Sequence, residues 1–427
     1  MTTEKRMGRL NLSQKEIVMA ERICPGSARS TISLKLYLPE HTPEAVKEAV
    51  DTVLDNADVF AASLCREEGG CMLSYGQEKI SECSIEKECS ADWVEGYMDI
   101  SDRLPMDTAY HLYRAHVFPL SDGGVLLYTR FHHIILDSCS MGLFVQRVLD
   151  VLTGKGIVRS VFDTTNITEP ADDAEDDLVS GEISDGKEFW KSYFADAEFE
   201  TAVHHRKADG EKFSSYRVSV PKEIMSGVEA YGEKENISIP CLFAAAYVFY
   251  LAQATNKKDA VFLMLCMNRE VEQADTMGCY TLFVPVRVRV DAEDTFPELC
   301  RKVKVAAGEA SSHRECGYTS ILEALCEEEI VRESISEFVF QFCDFSFQAD
   351  FPYRVRFSMA GYMSNHLTFS LFRNEAGGLD LQFDYQEGIY TKKGIRNLFE
   401  AVITILLGGL RLDMAHSFEE CDFASMT

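Results

Sequence analysis

The sequence predicts an α/β fold of two similar lobes, and three observations carry that expectation. Its 427 residues exceed one ordinary domain. Runs of alternating apolar residues repeatedly give way to runs with helical spacing, in both halves of the chain. Between those halves, residues 161–187 hold one proline, few apolar residues and a dense acidic block, the composition of a linker. The expected organisation is an N-terminal lobe at 1–160, an acidic linker at 161–187 and a C-terminal lobe at 188–427.

Each element follows from its spacing. "STISLKLYL" alternates Ile32, Leu34, Leu36 and Leu38 against polar partners and reads as a half-buried strand. "TPEAVKEAVDTVLDNADVF" places Ala45, Val46, Ala49, Val50, Val53 and Leu54 on one side of a helix. "GGVLLYTRFHHIIL" is a strand entered through a Gly-Gly turn. After Asp137 the spacing becomes helical at Met141, Phe144, Val145, Val148 and Leu149, and Gly154 and Gly156 stop that helix. Beyond the acidic block, "FWKSYF" opens a helix, "YRVSVP" alternates as a strand, and "IPCLFAAAYVFYLAQAT" is a long apolar helix. "DAVFLMLCMNRE" is a buried strand ending in Asn268 and Arg269, "YTLFVPVRVRVD" is another strand, and "FPELCRKVKVAAGEA" is helical. "EFVFQFCDF" reads as a strand, "HLTFSLFRNEAGGLDLQFDYQ" as a hairpin turning at Gly377-Gly378, and "KKGIRNLFEAVITILLGGL" as a closing helix.

Composition narrows the function. The 42 Lys and Arg against 69 Asp and Glu give a net charge of −27, a field that repels phosphate backbones and anionic lipid. Neither nucleic acid nor a membrane is an expected partner. The 14 cysteines form no C-x-x-C pair, and Cys241, Cys266 and Cys343 sit among apolar neighbours, which reads as reduced core thiols. The opening "MTTEKRMGRL" has no apolar stretch after its charges, so no secretory signal is expected. The most apolar windows are too short to span a bilayer. A cytoplasmic monomer is the expectation.

One stretch carries chemistry. "TRFHHIILDSCSMG", residues 129–142, sets two adjacent histidines and an aspartate where a strand hands over to a helix. Neighbouring residues on a strand point to opposite faces, so at most one of His132 and His133 can face a given cleft while the other packs inside its lobe. A neutral imidazole accepts a proton from an amine, hydroxyl or thiol near neutral pH. Asp137, if buried, needs a cation or hydrogen-bond donors. A metal on His132, His133 and Asp137 is disfavoured by the opposed faces, and no metal site is expected. No G-x-S-x-G supports a serine nucleophile. "GEISDGKE" mimics a phosphate loop but has Glu188 where Ser or Thr would bind Mg²⁺, and it reads as linker. His204 and His205 lie in a polar stretch and read as solvated loop.

The run "LYRAHVFPLSDGGVLLYTRFHHIILDSCSMGLFVQRVLDVL" resembles the core of condensation domains of nonribosomal peptide synthetases, whose signature is H-H-x-x-x-D-G-x-S. His132, His133, Asp137 and Ser140 match it. "NLSQKEIVMAE" is similar to the family's opening segment, and "FWKSYF", "MGCYTLFVPVRV" and the terminal "GGLDLQFDYQEGIYTKKGIRNLFEAVITILL" follow in family order. The resemblance implies the fold of chloramphenicol acetyltransferase: two related lobes of mixed sheet flanked by helices, with an active-site tunnel between them. It makes His133 the catalytic residue that positions or deprotonates the nucleophile. It makes His132, Asp137 and Ser140 supporting members and Arg269 the partner of that aspartate. Ser138 stands where the family has glycine, at the tunnel; a side chain there narrows the tunnel or strains the backbone if φ is positive. No bound cofactor is implied. The acyl donor would ride on phosphopantetheine, delivered by an acyl- or peptidyl-carrier protein or as coenzyme A, and the acceptor would be a small amine or alcohol. With no adenylation or carrier domain in the sequence, a free-standing acyltransferase is expected. A non-catalytic carrier-protein docking module and an acyl-coenzyme A-dependent O- or N-acyltransferase are the alternatives.

Overall fold

A computed structural model describes residues 6–23, 26, 28, 30–67, 70–75, 83–106, 108, 112–162, 175–203, 213–359, 365–374 and 377–411. The first part of the chain forms β1 (Arg6–Arg9), α1 (Leu12–Ile23), β2 (Thr31–Leu38), α2 (Pro43–Asp55), β3 (Ala62–Glu67), β4 (Gly70–Tyr75), β5 (Cys83–Ile85), α3 (Ala91–Ser101), β6 (Tyr113–Pro119), β7 (Val125–His132) and α4 (Ser138–Leu152). The remainder forms α5 (Glu175–Phe194), β8 (Phe213–Ser219), α6 (Lys222–Glu235), α7 (Ile239–Thr255), β9 (Asp259–Met267), β10 (Thr281–Arg289), α8 (Phe296–Ser312), α9 (Tyr318–Glu327), β11 (Phe338–Cys343), β12 (Arg354–Met359), β13 (Leu367–Arg373), β14 (Leu379–Gln386) and α10 (Lys392–Arg411).

These elements make two compact units, and neither is contiguous in sequence. One consists of Met1–Asp172, Met267–Thr281 and Phe345–Met363; the other takes Asp173–Cys266, Leu282–Asp344 and Ser364–Thr427. The stretch expected as a C-terminal lobe at 188–427 therefore yields two segments to the first unit. Of the acidic stretch at 161–187, residues 163–174 lie outside the described residues, while 175–187 are helical within α5. "GEISDGKE" is part of that helix, so its glycines form no phosphate loop. His204 and His205 lie outside the described residues.

The first unit is organised by a five-stranded sheet in the order β12-β2-β7-β6-β5, beside a small sheet β1-β4-β3. Strands β2 and β7 run antiparallel with Thr31 opposite His132 and Leu38 opposite Val125. Their alternation buries Ile32, Leu34, Leu36 and Leu38. Gly124 shapes the turn into β7: its φ is +81°, and a Cβ there would lie 2.8 Å from Pro39 Cα. Helix α2 starts with Thr42 accepting from the Ala45 amide and with Pro43 in its first turn, and it buries Val46, Ala49, Val50, Val53 and Leu54. Helix α4 buries Met141, Phe144, Val145, Val148 and Leu149, with Phe144 edge-on to Phe131 of β7 at 5.1 Å. Each such apolar side chain contributes ~1.5–3 kcal/mol relative to exposure. That packing fixes the end of β7 against the start of α4.

The second unit has a six-stranded mixed sheet in the order β10-β9-β11-β13-β14-β8. β9, β11 and β13 run parallel, while β14 and β8 are antiparallel to their neighbours. Helix α7 is apolar on all sides, and it buries Leu242 to Phe249, Leu251 and Ala252. Phe369 and Phe383 stack across β13 and β14 at 4.4 Å. Every residue of β14 is buried, so its alternating polar positions do not face water. Asp384 accepts from Ser215 and Gln382, and burial pushes its carboxyl up to about 6. No single helix among the described residues is long and apolar enough to cross a membrane.

Candidate active site

The site begins at the last residues of β7, where a sheet position passes into a tight turn and then into α4. His132 is 2% exposed, and its Nε2 lies 2.6 Å from Glu21 Oε1 on α1. Its Nδ1 accepts the Ile134 amide at 3.2 Å. Both ring nitrogens thus have partners, and the accepting Nδ1 fixes the Nε2–H tautomer. His133 turns elsewhere: its amide donates to Ser30 O at 2.6 Å, and its Nδ1 lies 3.8 Å from the Cys279 sulfur. The two rings engage different partners and do not converge on one ion. Among the described residues no group of three or more His, Cys, Asp or Glu could hold a metal.

Burial pushes the His133 imidazole down to about 4, against a hydrogen bond to its own backbone carbonyl and the charge of Asp137, which both raise it. His133 is therefore neutral at physiological pH. Nδ1 is the nitrogen within reach of the residue's own carbonyl, so the proton-accepting lone pair sits on Nε2.

Asp137 is fully buried and caps α4 by accepting the Ser140 amide at 2.8 Å. Its second oxygen accepts the Tyr280 amide at 3.0 Å. Arg269 Nη2 lies 2.9 and 3.2 Å from the two Asp137 oxygens and donates to Ser140 Oγ at 2.6 Å. Arg269 Nη1 donates to the carbonyls of Gln273 and Thr276, and the guanidinium lies 4.4 Å from the Tyr280 ring centre. Ser140 Oγ also donates to Gly278 O at 2.6 Å and accepts from Gly278 N at 2.9 Å. This cluster ties 267–281 to the histidine turn within the first unit. Arg269, expected in the C-terminal lobe, belongs to the first unit by its contacts.

Ser138 is half-buried at the first position of α4. Its φ is not among the positive values, so the strain that a glycine would relieve is not present there. Four participants were not singled out individually in the sequence, although Glu21 ends "NLSQKEIVMAE" and the other three lie in "MGCYTLFVPVRV", runs that resemble the family. Glu21 lies 111 residues from His132, and Gly278, Cys279 and Tyr280 lie far from the motif they meet. Gly278 is required by space: a Cβ would sit 2.3 Å from Phe162 and 2.6 Å from Tyr280.

Two α/β units, the first holding a buried neutral histidine at a strand end beside an arginine-clamped aspartate, define the class of molecule. The condensation domain model matches residues 5–412, and the chain belongs to that family. It is 20% identical over 313 residues to surfactin synthase subunit 1 of Bacillus subtilis (strain 168), covering 70% of this chain and 9% of that protein. It is 23% identical over 308 residues to bacitracin synthase 3 of Bacillus licheniformis, covering 69% of this chain and 5% of that protein. The chain thus spans a small part of the length of these relatives. Its fold is that of the first condensation domain of the CDA synthetase, with a TM-score of 0.81 at 17% identity, covering 97% of this chain and 98% of that one. A double mutant of the starter condensation domain of rhizomide synthetase, solved with C8-CoA and Leu-SNAC, superposes with a TM-score of 0.80 at 15% identity, covering 97% of each chain.

Proposed function

We propose that this chain transfers an acyl or aminoacyl group from a phosphopantetheine thioester to an amine, with an alcohol as the lesser acceptor, in nonribosomal peptide or related natural-product biosynthesis. The observation that carries the reading is the neutral, buried His133 at the strand end, in the H-H-x-x-x-D frame of a condensation-family chain. In this reaction the acceptor nitrogen attacks the thioester carbonyl carbon while His133 Nε2 takes its proton. The tetrahedral intermediate then collapses, the C–S bond breaks, and the imidazolium returns the proton to the leaving thiolate. General base action of this kind contributes ~10²–10⁴-fold in rate. Asp137 and Arg269 touch neither reactant; they hold the turn that presents the imidazole.

Carrier protein is the donor favoured by the peptide-synthetase relatives. Coenzyme A is the second reading, supported by the neighbour solved with C8-CoA. Acyl-carrier protein and acyl-coenzyme A, each offered with a panel of amines and alcohols and followed by mass spectrometry, separate the two. His133→Ala should fold normally and lose ~10²-fold or more of turnover. Undiminished turnover in that variant removes His133 from the chemistry. A wild type that binds holo-carrier protein but forms no product with any donor makes the chain a docking module.

A further inference from the structure

The reaction as described makes no use of the Cys279 thiol. It is fully buried, and its sulfur lies 3.8 Å from His133 Nδ1. It does not stand there by chance of side-chain rotation. The strap Gly278–Tyr280 is fixed residue by residue: Gly278 by Ser140 Oγ and by the Asp137 amide at 3.1 Å, Cys279 O by Asn11 Nδ2 at 2.8 Å, and the Tyr280 amide by Asp137. The same groups that hold the histidine turn therefore hold the residue that touches its ring.

We propose that Cys279 is a positioning residue for His133, its sulfur seating the Nδ1 edge of the imidazole and keeping that edge in an environment of low polarity. The proposal rests on the reading of His133 as the base. Sulfur accepts hydrogen bonds weakly, so beside Nδ1 it adds little to the stability of the imidazolium that forms when Nε2 takes a second proton. Other groups acting on the ring are its own backbone carbonyl and Asp137, which favour its charged form, and His132, which opposes it; Arg269 pairs with Asp137. Cys279 is not a nucleophile in this arrangement. Burial pushes its thiol well above the ordinary value, which keeps the sulfur protonated and unreactive.

The test reads the imidazole directly. The protein is labelled with ¹⁵N-histidine, the His133 signals are assigned by their loss in His133→Gln, and their titration is followed from neutral pH downward. Cys279→Ser places a stronger acceptor beside Nδ1, and Cys279→Ala opens room for a water there; each should raise the His133 midpoint by ~1 pH unit. The acid limb of the rate–pH profile should move by the same amount, with KM unchanged. A seat that only fills space would leave the midpoint where it is. Folded variants, judged by circular dichroism and melting temperature, that both titrate within ~0.2 unit of the wild type overturn the proposal. Should the serine variant not fold, the alanine variant decides the matter by the same criterion. The titration needs no substrate, so it stands apart from the functional reading, which fails instead on undiminished turnover of His133→Ala.

Discussion

Arg269→Met tests the clamp on the histidine turn. Methionine keeps much of the aliphatic bulk and removes the donors to both Asp137 oxygens, to Ser140 Oγ and to the carbonyls of Gln273 and Thr276. Asp137 would then be a fully buried carboxylate left with the Ser140 and Tyr280 amides as its donors. Stranding one member of a buried pair costs ~3–5 kcal/mol, and the freed carbonyls place this variant at the upper end. Asp137→Asn keeps an oxygen for the capping amide and loses the charge, so it should cost less, ~2–3 kcal/mol. In the double variant the stranded charge is gone, and the combined loss should fall short of the two single losses together by at least ~1.5 kcal/mol. Urea unfolding gives the totals. Amide hydrogen exchange at Ser140, Gly278 and Tyr280 gives the local share, because each of these amides donates into the cluster. Losses that add to within ~0.5 kcal/mol would refute the clamp as the source of the turn's rigidity.

Three further outcomes follow from the same geometry. His133 has a folded-state value depressed to about 4, below the ~6.5 of an unfolded chain, so the unfolded state binds the extra proton between those limits. Stability should thus fall as pH drops from ~6.5 toward 4, and His133→Gln should flatten that slope in urea titrations; an unchanged slope would place the titration elsewhere. Gly278→Ala should destabilise by ~2 kcal/mol or more, because its Cβ would lie 2.3 Å from Phe162, and Phe162→Leu should recover part of the loss in thermal melts. Ser138→Gly should cost less than ~1 kcal/mol, since the position opens a helix without positive φ, and should broaden the range of acceptors used; identical acceptor profiles would make the serine neutral.

Much of the site was legible because its first half is local. The strand expected over "GGVLLYTRFHHIIL" is present but ends at His132, four residues early, because 133–135 form the turn; the helix opening after Asp137 and the apolar stripe of α4 are set by short-range spacing and lie where expected. The motif matched by His132, His133, Asp137 and Ser140 spans nine consecutive positions, so it could be recognised without a fold. The closing hairpin and α10 were equally plain, turning at Gly377 with φ of +78°. Helix α5 was not, because the acidic run at its start has no apolar repeat in sequence that would announce a helix.

Sequence by itself determined the α/β class and most elements, because each rests on residues a few positions apart. Tertiary structure alone decided what those residues touch. It brought Glu21 to His132 across 111 positions, Arg269 to Asp137 across 132 and Cys279 to His133 across 146. It also returned 267–281 and 345–363 to the first unit, where β12 joins β2 at the sheet edge. Pairings of that separation leave no periodicity in the chain. They are selected only when the buried carboxylate at Asp137 must find a cation and donors, and when the space left beside Phe162 admits no side chain larger than a hydrogen.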